Sequence, residues 1–160
     1  MVEDLLEILR SNAHESPENM AKMLGVSADE VTSTIARLES EGVIRGWQAI
    51  INEDKVPRGQ VTAEIEVRVT PERDGGFNRI AEAVSRFDEV DTVFLMSGAY
   101  DLMLFVHGDS LLSIARFVSE KLSTIHGVLS TATHFKLKTY KQNGVLMNDA
   151  SSDSRLVVSP

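Results

Sequence analysis

A tyrosine and an aspartate stand side by side in the segment Met96–Asp101, which reads MSGAYD. Apolar runs flank the segment, and a connection this short predicts a β-hairpin. Gly98 supplies the positive φ that such a turn usually needs. Tyr100 and Asp101 therefore offer a phenol and a carboxylate for hydrogen bonding or charge recognition at the start of a strand. The simpler alternative is that Asp101 only satisfies nearby backbone N–H groups.

Composition limits the chemistry that the chain can perform. It has 160 residues, of which 42% are hydrophobic and 25% charged, as in an ordinary globular protein of one or two domains. It contains no cysteine, which excludes disulfides and thiolate chemistry. Zinc would depend on histidines whose spacing forms no ligand pair, and we predict no metal, no cofactor and no enzyme activity. These histidines are His14, His107, His126 and His134.

The N-terminus and the net charge indicate where the protein works. Residues 1–7 are acidic, whereas a signal peptide begins with basic residues, and no apolar run is long enough to span a bilayer. We therefore expect a cytoplasmic protein that does not bind membranes. The net charge of −8 opposes general binding to polyanions, so any contact with DNA must be local.

Three helical segments occupy the first third of the chain. Ser16 reads as an N-cap before a proline, and Gly25 ends the helix that follows. Ser27 and Glu30 then have the spacing of a capping box at the start of the next helix. Two helices joined in this way predict a helix-turn-helix whose second helix enters a major groove. The run Val43–Ile51 is expected to form a short strand or wing.

The outer face of the second helix of this motif is small and polar. Val31, Ile35 and Leu38 repeat at i, i+4 and i+7, so they are expected to pack inward. The candidate DNA contacts are Lys22, Ser27, Thr32, Ser33, Arg37 and Arg45. Residues 1–60 hold six basic and eleven acidic residues, which is unfavourable for contact with phosphates. The alternative is a three-helix packing unit that touches no DNA.

The pattern changes after a polar, turn-prone hinge. Apolar residues alternate with polar ones over Val61–Val69, which predicts a strand buried on one face. A helix, the hairpin, a second helix from about Ser110 and a strand over Val128–Tyr140 follow. This βαββαβ order predicts an α+β fold, with a ferredoxin-like domain behind a winged helix-turn-helix. The expected divisions are residues 1–51, 52–60, 61–141 and 142–160.

The hairpin strands are apolar on both of their alternating faces. In the ferredoxin-like order both crossover helices lie on one face of the sheet, which leaves the other face uncovered. A contiguous apolar patch usually marks an interface, so we predict a homodimer of back-to-back sheets. The residues expected at this interface are Val93, Leu95, Met103 and Phe105.

Several motifs occur together along residues 2–141. They are the helix-turn-helix, RLESEGVIRGW at Arg37–Trp47, GAYD at Gly98–Asp101, the Gly127-Val128 pair and TAT at Thr131–Thr133. In this combination the chain resembles the Lrp/AsnC family of feast/famine transcriptional regulators. The combination is specific, whereas each motif alone is weak.

The resemblance implies an effector domain that dimerises through its sheet, with dimers assembling into octamers. It implies an effector that is an amino acid or related small metabolite, bound between subunits near the glycine turn. A carboxylate would hold the ammonium group of such a zwitterion, and hydroxyl or N–H donors would hold its carboxylate. By motif, the expected effector residues are Gly98, Tyr100, Asp101, Thr131 and Thr133. The expected partners are double-stranded DNA, the small effector and further copies of the chain.

Two features depart from the family pattern. Thr34 and Ala36 stand on the second helix of the motif, where family members often carry arginines, and this affects DNA affinity and operator preference. The tail extends past the effector domain, and Arg155–Ser159 is expected to add a short strand to a sheet edge or to a neighbouring chain.

Two other functions compete with the regulator. Enzymes that resemble sirohaem decarboxylases share this architecture, and His107 and His134 would serve in such an enzyme, although solvated histidines are the ordinary explanation. A DNA-independent, metabolite-sensing partner of another protein is the second alternative, because the N-terminal part is acidic.

Overall fold

The computed structural model describes residues 1–57, 59–71 and 76–147. The chain divides into two compact units, residues 1–51 with 141–160 and residues 52–140. Asp74 and Gly75 in the loop before the predicted helix, and the predicted tail strand Arg155–Ser159, lie outside the described residues.

Three helices form the first unit: α1 (Val2–Ser11), α2 (Pro17–Leu24) and α3 (Ala28–Ser40). The inward stripe of α3 behaves as its spacing predicts, because Val31 and Leu38 are buried. The core of this unit consists of Leu5, Leu9, Met20, Ala21, Val31 and Leu38. The three helices therefore close around one small apolar core.

The segment that follows α3 differs from the prediction in its detail. Residues 43–51, all of them described, form no hydrogen-bonded strand. Trp47 and Ile51 in this segment are exposed. A two-residue hairpin of β5 (Lys141–Gln142) and β6 (Val145–Leu146) belongs to the same unit. This segment therefore has an irregular conformation, whereas the sequence predicted a short strand or wing.

The second unit has the predicted βαββαβ order. Its elements are β1 (Val61–Val69), α4 (Asn78–Val84), β2 (Val90–Leu95), β3 (Leu102–Gly108), α5 (Leu111–Arg116) and β4 (Val128–Phe135). The strands form one antiparallel sheet in the order β2-β3-β1-β4. A short 3₁₀ turn at Glu53–Lys55 precedes β1.

One face of this sheet is covered by helices. The alternation in β1 buries Ala63, Ile65, Val67 and Val69, as the sequence predicts. The core that they share with β3 and the helices is completed by Ile80, Val84, Leu102, Leu104, Val106, Ile114, Phe117 and Leu122. Among the described residues of this unit, no helix covers the opposite face, in agreement with the ferredoxin-like topology.

Two element boundaries differ from those predicted. The single long helix predicted from about Ser110 is divided into three parts. They are α5, a π-helical turn at Phe117–Lys121 and a 3₁₀ turn at Leu122–Thr124. The last strand ends at Phe135, short of Tyr140. No helix within residues 1–57, 59–71 and 76–147 is long and apolar enough to cross a membrane.

Candidate DNA-binding and effector sites

Side-chain caps and a glycine set the geometry of the helix-turn-helix. Ser16 Oγ accepts a hydrogen bond from the Asn19 N–H, and Ser27 Oγ accepts one from the Glu30 N–H at 3.1 Å. Gly25 ends α2 with φ +69°, in the left-handed region where glycine costs least. The Ser27 half of the predicted capping box is therefore formed, and it fixes where α3 begins.

The outer face of α3 is presented to solvent. Thr32, Ser33, Ala36 and Arg37 are all exposed, as predicted. The Thr32 hydroxyl donates to the Ala28 carbonyl at 2.9 Å and the Ser33 hydroxyl donates to the Glu30 carbonyl at 3.1 Å. Thr34 is buried, so it belongs to the core and not to this face.

Exposed side chains are found at Arg10, Lys22, Arg37 and Arg45, but Arg37 already has a partner. Arg37 Nη1 lies 3.0 Å from Oε1 and 2.9 Å from Oε2 of Glu41, one turn along α3. Lys22 lies in the last turn of α2, and Arg45 follows α3. Glu41 therefore competes with any phosphate or base for the Nη1 group of Arg37.

Two contacts in this unit were not predicted. The Trp47 indole N–H donates to Glu39 Oε1 at 2.9 Å, which ties the irregular wing to the end of α3. The pairing of Arg37 with Glu41 was readable from the sequence, because oppositely charged residues at i and i+4 face each other on a helix.

The hairpin between β2 and β3 holds three of the predicted effector residues. Gly98 has φ +124°, which bears out its predicted role in the turn. Asp101 is half-buried, and its Oδ2 accepts a hydrogen bond from the Val69 N–H at 2.9 Å. The Asp101 backbone N–H also donates to the Val67 carbonyl at 3.0 Å. At least one oxygen of this carboxylate thus has the structural role that the simpler alternative assigned to it.

The two threonines of β4 lie on the helix-covered face of the sheet. Thr131 pairs with Val67 and Thr133 with Ile65, and both of these β1 residues are buried under the helices. Directly paired residues of an antiparallel ladder share a face. Both threonines are half-buried, and Thr133 lies two residues further from the hairpin end of the sheet than Thr131. The five predicted residues therefore come from two places in the sheet, the β2–β3 hairpin and β4, with β1 between β3 and β4.

The four residues predicted at the dimer interface lie on two faces of the sheet. Val93 pairs with Leu104 and Leu95 with Leu102, so both point to the helix-covered face. Met103 and Phe105 point to the open face, where Phe94 pairs with Met103. The Phe94 and Phe105 rings meet edge to face, with centroids 5.9 Å apart.

The grouping of Val93 and Leu95 with Met103 and Phe105 was therefore wrong, and Phe94 is the residue that sequence reasoning missed. A register shift between Val90 and Thr92 in β2 decides which of its residues face the helices. A bulge of this kind reverses the alternation and leaves no clear trace in the sequence.

Two cavities lie elsewhere in the second unit. One, of about 430 Å³, lies between α4 and β2 and is lined by Asn78, Ala81, Glu82, Ser85, Arg86, Val93 and Leu95. The other, of about 240 Å³, lies beside α5, and its lining includes Glu89, Arg116 and Lys121. None of the predicted effector residues lines either cavity.

Two of the four histidines, His107 and His134, lie beside carboxylates. His107 Nδ1 lies 2.8 Å from Asp91 Oδ1, and His134 Nε2 lies 3.4 Å from Glu66 Oε1. Within the described part of the chain no three His, Asp or Glu side chains group together in a way that could hold a metal ion.

A winged helix-turn-helix followed by a four-stranded βαββαβ domain defines a DNA-binding regulator with a ligand-binding domain. Residues 3–45 match the winged helix-turn-helix DNA-binding family, and residues 62–146 match the Lrp/AsnC ligand binding domain. The chain belongs to the Lrp/AsnC family of transcriptional regulators.

Relatives span nearly the whole chain. The uncharacterized HTH-type transcriptional regulator YugG of Bacillus subtilis is 48% identical over 158 residues, covering 98% of this chain and 95% of its own. The regulator PH1916 of Pyrococcus horikoshii is 35% identical over 138 residues, covering 86% and 91%. Both relatives are named as HTH-type transcriptional regulators.

Solved structures share the fold. The transcriptional regulator NMB0573 of Neisseria meningitidis superimposes with a TM-score of 0.68 at 23% identity, covering 90% of this chain and 93% of its own. AsnC of Escherichia coli gives a TM-score of 0.65 at 21% identity, covering 88% and 93%.

Proposed function

We propose that this chain is a sequence-specific transcriptional regulator whose assembly and DNA binding respond to an amino acid or a related small metabolite. The observation that carries the proposal is a complete helix-turn-helix, with an exposed polar face on α3, in one chain with an Lrp/AsnC ligand binding domain. In this proposal the helix-turn-helix binds DNA and the ligand binding domain binds the effector.

The effector is proposed to bind at the hairpin end of the sheet, between subunits. Asp101 supplies a carboxylate for an ammonium group, while the Tyr100 and Thr131 hydroxyls supply donors for a carboxylate. Because the predicted residues come from the hairpin and from β4, with β1 between β3 and β4, a neighbouring subunit is proposed to complete the site. The Neisseria meningitidis regulator was crystallised as a complex with L-methionine, which supports an amino acid as the class of ligand.

A thermal-shift screen against the twenty amino acids tests this proposal. A ligand that binds only the folded protein stabilises it by about 2.7 kcal/mol at a hundred times its dissociation constant. The matched variant is Asp101→Asn, because the amide oxygen still accepts from the Val69 N–H while the charge is lost. We expect one or a few amino acids to stabilise the wild type and to lose this effect in the variant.

The output is tested by mobility shift on the DNA upstream of the protein's own gene, with and without the stabilising amino acid. A shifted band whose size or midpoint changes with the amino acid supports the proposal. No band at low salt, under either condition, would refute DNA regulation. An equal response of Asp101→Asn and wild type would refute the hairpin site alone.

The open face of the sheet is proposed to form the homodimer, with Phe94, Met103 and Phe105 at its apolar part. Phe94 is 51% exposed and Leu95 is 62% exposed, so either can become charged without opening the core. Phe94→Glu should therefore give monomers in light scattering, whereas Leu95→Glu on the opposite face should leave the dimer intact. Two dimeric variants would contradict back-to-back packing, and the wild type measured in parallel shows whether dimers assemble into octamers.

A further inference from the structure

Asp29 stands at the head of the exposed stripe of α3. Successive residues of an α-helix are rotated by about 100°, so Asp29, Thr32, Ser33 and Ala36 share one side. All four of these side chains are exposed to solvent. The buried Val31 and Leu38 occupy the opposite side of the helix. Asp29 also lies in the first turn, and the first residues of a recognition helix are those that contact base edges.

The polar groups along this stripe are hydrogen-bond acceptors. The hydroxyl hydrogens of Thr32 and Ser33 are directed to the carbonyls of Ala28 and Glu30, at 2.9 and 3.1 Å, which leaves oxygen lone pairs facing outward. Asp29 is an acceptor because its carboxylate is ionised at neutral pH. Arg37 is the one cation of α3, and its guanidinium is held by Glu41.

In the major groove the exocyclic amino groups of cytosine and adenine are donors, whereas guanine and thymine present acceptors at the corresponding atoms. Asp and Glu accept from the cytosine N4 amino group. We infer that Asp29 is a specificity-determining residue that selects cytosine at one position of each half-site. This inference rests on the proposed sequence-specific DNA binding.

The same carboxylate also makes wrong sequences costly. Residues 1–51 contain four Lys or Arg and nine Asp or Glu, so this part of the chain gains little from phosphates in general. A carboxylate that enters the groove without meeting an amino donor loses its water and gains no partner. Asp29 therefore disfavours sequences that lack an amino donor at this position, as well as favouring those that have one.

Glu30 provides the matched control. It carries the same charge in the same turn of α3, but it is rotated by about 100° from Asp29, toward the buried Thr34. Asp29→Asn and Glu30→Gln each remove one negative charge, so both should bind random DNA somewhat more tightly. Only Asp29→Asn should change which base is preferred.

The experiment is selection of bound duplexes from a randomised library by the full-length wild type, Asp29→Asn and Glu30→Gln. We expect cytosine to dominate one position per half-site in wild type and Glu30→Gln. Asn pairs with adenine in a bidentate manner, so Asp29→Asn should shift that position to adenine. On substituting the base at that position in a single duplex, discrimination by the wild type should be roughly 5- to 150-fold.

The outcomes separate this inference from the proposed function. If the wild type enriches a motif and Asp29→Asn enriches the same motif, the inference is overturned and sequence-specific binding stands. If Glu30→Gln shifts the preferred base as Asp29→Asn does, net charge explains the effect and the inference is again overturned. A wild type that enriches no motif overturns both. Circular dichroism of each variant, compared with the wild type, checks that the helices stay folded.

Discussion

The DNA-reading face and the hairpin end of the sheet are assembled in opposite ways. On α3 a single helix, capped by Ser27, holds every side chain of the outer stripe in one register and exposes it. At the hairpin, Asp101 is tied to the backbone of β1, while Thr131 lies on another strand and on the covered face. One chain therefore completes the first surface, whereas the proposed effector site depends on packing between strands and, in the proposed assembly, on a neighbouring subunit.

The largest expected difference concerns two glycines that follow helical segments, one in each region. Gly127 has φ +97°, and a Cβ there would lie 2.7 Å from Ile80 Cδ1, inside the core. Gly25 has φ +69° with nothing within 4 Å of such a Cβ. Gly127→Ala should therefore destabilise by about 2–5 kcal/mol, from backbone strain plus overpacking, and Gly25→Ala by about 1–2 kcal/mol.

Urea unfolding followed by circular dichroism measures both variants, and hydrogen exchange shows which unit is affected. In Gly127→Ala the amides at the ends of β1 and β4 should exchange faster, since the Thr70 N–H donates to the Gly127 carbonyl. Equal losses in the two variants would mean that Ile80 moves aside without cost, and that the hairpin end of the sheet is no more constrained than the helix-turn-helix.

The next effect separates the structural and effector roles of Asp101. Asp101→Ala removes the acceptor of the Val69 N–H and should cost about 1–3 kcal/mol, because that N–H is partly buried. Asp101→Asn keeps an acceptor oxygen and should cost less than half as much. Thermal unfolding without amino acids measures both. If the two variants are equally stable, the hydrogen bond to Val69 contributes nothing, and Asp101 serves the effector alone.

The helical region was predictable from spacing because helix periodicity is local. Val31, Thr32, Ser33 and Leu38 took the sides that a 3.6-residue period assigns to them, and the Ser27 cap marked the helix start. The βαββαβ order followed equally well from the succession of strand and helix patterns after residue 60. Local patterns therefore carried the fold.

The effector and dimer residues on the sheet were harder to place from the sequence. Their positions depend on the register between strands that are distant in the chain. The shift between Val90 and Thr92 placed Phe94, rather than Val93 and Leu95, on the open face. The pairing of Thr131 with Val67 and the hydrogen bond from Val69 to Asp101 join residues distant in sequence. A single sequence holds no marker for such pairings, which tertiary packing decides.

The third prediction concerns the ion pair on the recognition helix. Arg37 and Glu41 have exposed side chains, 50% and 47%, so their pairing is weak and exchangeable. Glu41→Gln should release Arg37 for a phosphate and increase the magnitude of the salt slope of DNA binding by about 0.9. The affinity should rise by a few fold. Fluorescence anisotropy over a range of salt concentrations measures both, with Glu7→Gln on α1 as the control for lost charge. A slope equal to that of the control would show that Arg37 stays away from the DNA.

The smallest effect concerns an ion pair of the effector unit that joins distant elements. Lys121 donates to Glu89 Oε1, and this hydrogen bond lowers the pKa of the Glu89 carboxyl below its usual 4.5, against the effect of burial. A carboxyl whose pKa is lowered by folding stabilises the protein above its unfolded pKa, and this stability is lost as the pH falls through the folded pKa. Lys121→Met should thus cost about 0.2–1 kcal/mol at pH 7, since the two side chains are 47% and 30% exposed.

The deficit of Lys121→Met should shrink as the pH falls below about 4.5, because the wild type loses the stability contributed by ionised Glu89 as the pH falls through its lowered pKa. Lys138→Met is the control, because Lys138 lies over the Tyr140 ring at 5.1 Å, just as Lys121 lies over Phe87 at 5.7 Å. Urea unfolding at pH 3.5, 5 and 7 should show a pH-dependent deficit in Lys121→Met and a constant one in Lys138→Met. If the loss of stability is independent of pH in both variants, Lys121 acts through its contact with the Phe87 ring. The ion pair with Glu89 would then contribute as little to stability as an exposed ion pair such as Arg37–Glu41.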